Sequence, residues 1–205
     1  MPEILIADDH PLFRDALSRA AAQALPAVEL FQADSVPALL ALVESHANAD
    51  LLLLDLQMPG ARGFSALAHL RGHYPQLPVI IVSAHEEADV ARRALAHGAA
   101  GYVPKSMAGE NIVEAIHAVL DGEVWLPSQL SGGSAELRGS EAVLAGRIAE
   151  LTPHQFRVLG MVADGLLNKQ IAYELGVSEA TIKAHMNAIM RKLGCNNRTH
   201  VALAA

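Results

Sequence analysis

The feature that most restricts the fold of this chain is an alternation, over the first 120 residues, of short apolar runs with longer segments of helical spacing. The run DLLLLDL at 50–56 is nearly all apolar, as expected of a central parallel strand that is covered on both faces. Five such runs alternating with five helices predict βαβ units, which place helices on both faces of one parallel sheet. We therefore predict an α/β fold with a doubly wound, five-stranded parallel sheet. The strands are expected at 3–8, 28–34, 50–56, 77–83 and 101–104, and the helices at about 11–24, 36–46, 63–73, 86–97 and 108–120.

A second, all-α region follows this α/β part. Gly, Ser and Pro accumulate at 127–141, which predicts a linker or hinge, and a short amphipathic helix is expected at 142–150. Beyond it, Thr152 and Ser178 are expected to cap helices, and the three-residue connection at 176–178 is typical of a helix-turn-helix. The predicted divisions are an α/β domain at 1–121, a linker at 122–147 and a helix-turn-helix domain at 148–205.

The composition excludes several classes of protein. Cys195 is the only cysteine, so no disulfide can form within the chain, and a reducing, cytoplasmic setting is expected. The apolar runs are far shorter than the roughly 18 residues that a membrane helix needs, so no contact with a membrane is expected.

The charge is divided unevenly along the chain. Residues 1–149 carry 9 Lys and Arg against 18 Asp and Glu, whereas residues 150–205 carry 6 against 4. An acidic body with a mildly basic tail favours a module for cations or phosphoryl groups joined to one that approaches nucleic acid. Two domains with ordinary surfaces are the alternative reading of the same charges.

Polar side chains follow four of the five predicted strands. Asp8 and Asp9 end the first strand, Asp55 the third and Ser83 the fourth, while Lys105 follows the fifth. In a doubly wound sheet these strand ends share one rim, where ligands bind. Three carboxylates need a counter-charge there, and oxygen ligands suit a hard cation, most plausibly Mg²⁺. Together with the lysine, the cation would attract a phosphoryl group that Asp55 attacks, giving an aspartyl phosphate.

Four segments resemble the receiver domain of two-component response regulators, namely ADDH (7–10), LLLLDLQMPG (51–60), VSA (82–84) and GYVPKS (101–106). The resemblance covers about residues 3–121 and implies that a sensor histidine kinase, or a small acyl phosphate, donates to Asp55. It also implies a set of site residues. These are the phosphoacceptor Asp55, the Mg²⁺ ligands Asp8, Asp9, Asp55 and the Gln57 carbonyl, the phosphoryl contacts Ser83 and Lys105, and the aromatic switch residue Tyr102.

Two positions near this rim admit more than one interpretation. Tyr102 matches the switch position of the family, but a half-buried strand tyrosine is the alternative. Gln57 stands where phosphatases with an aspartyl nucleophile carry an acid, and an amide cannot exchange a proton at neutral pH. The sequence therefore favours a signalling switch that catalyses only its own phosphoryl transfer and slow dephosphorylation. An Mg²⁺-dependent aspartyl phosphohydrolase is the rival hypothesis. His85 either tunes the lifetime of the acyl phosphate or is an ordinary loop residue.

The C-terminal region resembles the LuxR-type helix-turn-helix of NarL/FixJ regulators over about residues 151–204, through the LTP start, the VSEATIKAH run and the RKLG ending. Gln155 and Phe156 depart from the charged residues usual there. The helix that starts near Ser178 buries one apolar face and exposes the face that carries Lys183, suited to the major groove. By resemblance, base-reading positions are Lys183, Ala184 and Asn187, and candidate contacts to the DNA backbone are Lys169, Thr181, Lys192 and Arg198.

Together these resemblances predict a transcription factor switched by phosphorylation. Its expected partners are a sensor histidine kinase, double-stranded promoter DNA with paired half-sites, and a second copy of the chain in a homodimer that forms on phosphorylation. Each cation of the tail has a solvated helix face as its alternative, His185 is expected to be structural, and a tail that binds protein rather than DNA stays open.

Overall fold

A computed structural model describes residues 1–130 and 139–204. Five strands form one all-parallel sheet in the order β2-β1-β3-β4-β5, so the predicted doubly wound sheet is confirmed. The strands are β1 Glu3–Ala7, β2 Glu29–Ala33, β3 Leu51–Leu54, β4 Val79–Ser83 and β5 Gly101–Pro104. The intervening helices are α1 Pro11–Ala24, α2 Val36–Ser45, α3 Ser65–His73, α4 Ala88–Ala96 and α5 Ala108–Leu120. Each predicted bound lies within two residues of the observed one.

The central strand explains why both faces of the sheet are covered. All four residues of β3 are fully buried. Leu52 and Leu54 point into a core shared with α2, α3 and α4, whereas Leu51 and Leu53 point into a second core shared with α1 and α5. Side chains alternate along a strand, so an all-apolar strand needs helices on both sides.

The C-terminal region is all helical, as predicted. Its helices are α6 Gly139–Ala149, α7 Pro153–Ala163, α8 Asn168–Glu174, α9 Glu179–Leu193 and α10 Arg198–Leu203. Thr152 and Ser178 cap α7 and α9 through their side chains, and Gly194 ends α9 with a left-handed φ of 69°, a conformation that favours glycine. Over the described residues, no helix has the length and apolar character needed to cross a membrane.

Both described ends of the predicted linker at 127–141 carry secondary structure. Residues 128–130 form a short 3-10 turn with Leu130 buried, and α6 begins at Gly139, three residues before the helix predicted at 142–150. Residues 131–138 of the predicted linker at 127–141 lie outside the described residues. α6 packs along α3 and also touches α9, so it joins the α/β domain to the helical domain.

The two domains share one continuous core. His69 of α3 is fully buried and its ring stacks on that of Phe156 in α7, with centroids 4.2 Å apart and planes 4° from parallel. The Arg62 guanidinium donates to the Ala163 carbonyl oxygen at 2.9 Å. Gly160 of α7 lies so close to the loop after β3 that a methyl group on it would overlap the Gly60 carbonyl oxygen. Phe156, one of the two departures from the LuxR-type resemblance, is thus a contact between domains.

The His69 ring carries two polar atoms into this interface. Both nitrogens are buried, and neither meets a partner at good hydrogen-bond geometry among the described residues. Burial, together with the neighbouring His73, lowers the pKa of His69 to about 4, and the backbone of Ile148 only partly offsets this. The ring is therefore neutral near pH 7, and its stacking on Phe156 is an apolar contact.

Candidate functional site

The carboxyl ends of three strands bring two carboxylates and one ammonium group together. Asp8 follows β1 and is fully buried, and Asp55 follows β3 and is 3% exposed. The Asp55 amide donates to the Ala7 carbonyl oxygen at 2.8 Å, so the pairing of β1 with β3 continues into the site. Lys105, directly after β5, places its Nζ 2.7 Å from Asp8 Oδ2 and 2.8 Å from Asp55 Oδ2.

Lys105 is held at this rim from several sides. Burial works to lower its pKa, but hydrogen bonds and charge from Asp55 and Asp8 outweigh burial and raise the pKa above its ordinary value. The Phe13 ring of α1 also lies 4.7 Å from Nζ, within the range of a cation–π contact. The ammonium group therefore stays charged and supplies the counter-charge that adjacent carboxylates need.

A third carboxylate and an imidazole complete the rim. His10 Nδ1 lies 2.7 Å from Asp9 Oδ1 and 3.6 Å from Asp8 Oδ1. One ligand atom from each of Asp8, Asp9, His10 and Asp55 falls within 4.8 Å of the others. Asp8 Oδ2 and Asp9 Oδ1 are buried without a hydrogen-bond partner among the described residues, apart from their ion-pair neighbours. Such a set of oxygen ligands fits Mg²⁺.

The opposite side of the rim is built by the loop after β4. Ser83 is fully buried, and its Oγ accepts from the His85 amide at 3.2 Å. The Gln57 side chain reaches the His85 ring, with the two Nε2 atoms 3.2 Å apart. Tyr102 is fully buried, not half-buried, and donates its hydroxyl to the His85 carbonyl oxygen at 2.8 Å. Burial raises the Tyr102 pKa despite its contact with Ser83.

The predicted base-reading residues lie together on α9. Lys183, Ala184 and Asn187 are exposed on one face, while Ile182 and Met186 are buried on the other. The Lys183 Nζ lies 3.5 Å from Oε1 of Glu179, one helical turn earlier, and the Lys183 side chain is 65% exposed. The packed domains therefore leave this face of α9 open to solvent.

The predicted backbone-contact residues differ in how free they are. Lys169 is exposed on α8, and the Thr181 amide donates to the Ser178 Oγ at 3.1 Å. Lys192 donates to the Glu150 carbonyl oxygen and to Gln155 Oε1, at 2.9 and 2.8 Å.

Arg198 is also engaged within the fold. It donates to Asn168 Oδ1 and to the Leu166 carbonyl oxygen, so Arg198 and Lys192 each make two hydrogen bonds within the protein and keep only their remaining N–H groups for a phosphate.

Two neighbours of the acidic rim escaped sequence analysis. His10 directly follows Asp8 and Asp9 in the ADDH segment, so its position next to the end of β1 could have identified it as a neighbour of the rim. Phe13 follows one helical turn later, and nothing in the pattern of α1 separates a ring near Lys105 from an ordinary core ring.

Comparison with known proteins agrees with this geometry. Residues 4–117 match the model of the response regulator receiver domain, and residues 149–205 match that of the bacterial regulatory proteins of the luxR family. The glycerol metabolism activator of Pseudomonas putida is 39% identical over 100% of this chain and 95% of that protein. The nitrate/nitrite response regulator NarL of Escherichia coli K12 is 35% identical over 98% of this chain and 93% of its own length.

A solved structure shares the whole architecture. It is RcsB of Salmonella enterica serovar Typhimurium, bound to a promoter in the presence of the phosphomimetic BeF3-, and it superposes with a TM-score of 0.56 at 25% identity. The alignment covers 99% of this chain and 97% of that chain. The chain thus belongs to the NarL/FixJ-type response regulators, two-component proteins that join a receiver domain to a LuxR-type helix-turn-helix DNA-binding domain.

Proposed function

We propose that Asp55 is the phosphoacceptor and that its phosphorylation controls promoter binding by α9. The observation that carries this proposal is the placement of the Asp55 carboxylate, 3% exposed, beside Asp8 and the Lys105 ammonium group. In this proposal residues 1–121 are the receiver, 122–147 connect it to the output domain, and 148–205 bind DNA.

The chemistry assigned to the chain is a transfer of one phosphoryl group. Asp55 Oδ attacks phosphorus, the bond to the leaving group of the donor breaks, and an acyl phosphate forms. Lys105 neutralises charge on the transferred oxygens, and the Ser83 hydroxyl donates a hydrogen bond to one of them. Asp8, Asp9, Asp55 and the Gln57 carbonyl would hold Mg²⁺, which supplies further positive charge when bound.

The response to this transfer would run through Ser83, His85 and Tyr102. When Ser83 turns toward the phosphoryl group, the His85 amide loses the acceptor that it has at 3.2 Å. The loop that also accepts the Tyr102 hydroxyl at 2.8 Å then has to adjust. Two discrete arrangements of this loop give the population shift that a switch requires.

A direct route also connects the phosphoacceptor to the output domain. The loop that begins at Asp55 reaches Gly60, whose carbonyl oxygen abuts Gly160 of α7. A shift of this loop on phosphorylation would displace α7 directly, because no other element lies between Gly60 and Gly160. The exposed face of α9 would then act in a homodimer on paired half-sites.

The rival enzyme hypothesis is weaker on the same geometry. Gln57 has an exposed amide side chain directed at His85, and an amide supplies no general acid for turnover. We infer that the receiver performs its own transfer and slow hydrolysis and does not turn over phosphomonoesters.

The test of the phosphoacceptor uses acetyl phosphate and Mg²⁺ with the full chain. Wild type is expected to gain one phosphoryl group by intact mass, and Asp55→Asn none. Asp121→Asn, an exposed residue that follows α5, is the matched control and should label like wild type. Labelling of Asp55→Asn would contradict the assignment.

A second measurement tests what phosphorylation controls. Size exclusion with beryllofluoride and Mg²⁺ is expected to show dimers, and gel shifts with genomic fragments are expected to show tighter binding. Lys183→Ala should cost about 1–3 kcal/mol of promoter binding, whereas Arg19→Ala, exposed on α1, should cost nothing. A tail that binds protein would give no shift with any fragment.

A further inference from the structure

We propose that His10 is a direct ligand of the divalent cation at the acidic rim, so that the site prefers an imidazole-binding ion such as Ni²⁺ over Mg²⁺ by a wider margin than its oxygen ligands alone would give. This inference rests on the proposed function, since it deepens the description of the same cation site. It adds a nitrogen ligand to the carboxylates that the proposed function uses.

The distances between the side chains suit shared coordination. In an octahedral site with bonds of about 2.1 Å, adjacent ligand atoms are roughly 3.0 Å apart and opposite ones roughly 4.2 Å. His10 Nδ1 is 2.7 Å from Asp9 Oδ1 and 3.6 Å from Asp8 Oδ1. The four ligand atoms, including one of Asp55, fit within 4.8 Å. Small rotations of these side chains would therefore bring the nitrogen and the oxygens to one ion.

The backbone holds His10 at this position before any ion arrives. Its amide donates to Asp8 Oδ1 at 2.8 Å, and its carbonyl oxygen accepts from the amides of Phe13 and Arg14 at 3.1 and 3.0 Å. Pro11 follows at the first position of α1, where its ring fixes the backbone at the helix start. The position of the His10 backbone is thus set by hydrogen bonds on both sides of the residue.

The side chain, by contrast, is free to turn toward an ion. The His10 side chain is 66% exposed, so rotation to a cation does not require the ring to leave a packed core. Nearby, Asp8 Oδ2 lies 2.7 Å from Lys105 Nζ and Asp9 Oδ1 lies 2.7 Å from His10 Nδ1, and neither oxygen has a further hydrogen-bond partner among the described residues. Each of these oxygens therefore keeps lone pairs with which to bind an ion that lies beside His10.

The kind of ligand decides which ion is preferred. Carboxylate and carbonyl oxygens suit Mg²⁺, whereas imidazole suits Fe, Ni, Cu and Zn and binds Mg²⁺ poorly. A neutral nitrogen also adds a ligand without adding a fourth negative charge to the three carboxylates. Affinity rises from Mn²⁺ through Co²⁺ to Ni²⁺ at oxygen and nitrogen sites alike, and a nitrogen ligand from His10 would make that rise steeper.

The experiment is pulsed EPR of the full chain with less than one equivalent of Mn²⁺, paired with calorimetric titration of Ni²⁺ and Mg²⁺. Wild type is expected to show the ¹⁴N modulation of a coordinated imidazole, and His10→Ala is expected to lack it. His10→Ala should also lose about 10-fold or more in Ni²⁺ affinity and keep its Mg²⁺ affinity. The loss should be at least this large because removing a contact behind a ligand already costs about 10-fold, and His10 is proposed as a ligand itself. His154→Ala, an exposed histidine of α7, is the control and should match wild type.

Each outcome decides between the two proposals. Mn²⁺ bound without nitrogen modulation, or modulation that persists in His10→Ala, overturns the role of His10 and leaves the oxygen site of the proposed function standing. Failure of wild type to bind either Mn²⁺ or Mg²⁺ overturns the cation site itself. Loss of modulation and of Ni²⁺ affinity only in His10→Ala establishes the ligand.

Discussion

Replacing His69 with Phe is expected to remove a pH dependence of stability that the wild-type interface carries. The pKa of His69 falls from its ordinary value of 6.5 to about 4 in the folded protein, chiefly through burial. Between these two values the unfolded chain holds a proton that the folded chain does not. Stability is therefore intact above pH 6.5 and is lost as the pH falls toward 4.

The size of this effect follows from the same two pKa values. One pKa unit corresponds to about 1.4 kcal/mol. Protonation of His69 in the unfolded chain therefore lowers the free energy of unfolding by roughly 2 kcal/mol between pH 7 and pH 5. Over the whole interval between the two pKa values, the free energy of unfolding would fall by roughly 3 kcal/mol. His69 is fully buried, so solvent screening does not reduce this figure. A Phe ring keeps the stacking on Phe156 and cannot be protonated.

The assay is urea denaturation of both proteins at pH 7 and pH 5, at constant ionic strength and followed by circular dichroism. The free energy of unfolding of wild type should fall about 2 kcal/mol further than that of His69→Phe over this interval. The difference in stability between the two proteins at pH 7 depends on how the larger ring packs. The readout is therefore the change in the free energy of unfolding from pH 7 to pH 5 in each protein. Equal pH dependence in the two proteins would refute the reasoning.

Three further perturbations test other contacts. Gly160→Val should force α7 away from Gly60 and enlarge the radius of gyration measured by small-angle scattering. Gly146→Val, where nothing lies within 4 Å of the added carbon, should leave that radius unchanged. Lys105→Ala should slow labelling by acetyl phosphate about 100-fold, with an unaltered circular dichroism spectrum, and an unaltered labelling rate would remove Lys105 from the transfer. Glu141→Gln removes the negative charge that faces Arg93 of α4 and His97, the residue after that helix. Burial raises the pKa of Glu141, but its hydrogen bonds and charge interactions with Arg93 and His97 outweigh burial and lower the pKa. The destabilisation seen by denaturation should therefore be present at pH 7 and fade as the pH falls below about 4.3; a loss that persists at low pH would contradict this.

The acidic rim was predictable because it follows from local signals. Runs such as that of β3 reveal where strands end, and parallel strands bring their ends to one edge, so Asp8, Asp55 and Lys105 could be placed together from order alone. The helix caps at Thr152 and Ser178 were predictable for the same reason, since a cap bonds to amides within three residues.

The contact between the domains was not predictable, because it depends on how two finished surfaces dock. Phe156 has the helical spacing of an ordinary core residue of its own domain. His69 has the spacing of any other residue of α3. Nothing local to either says that their rings stack at 4.2 Å. The close approach of Gly60 and Gly160 likewise joins positions 100 residues apart in the chain.

The abutting glycines limit how this regulator can be recombined. A chimera that joins its receiver to the output half of another regulator brings a new residue against the Gly60 carbonyl oxygen. Any side chain there prevents the halves from seating as they do here, however well each one folds. Partners for such fusions should therefore be chosen by the residue that replaces Gly160, before overall similarity is considered.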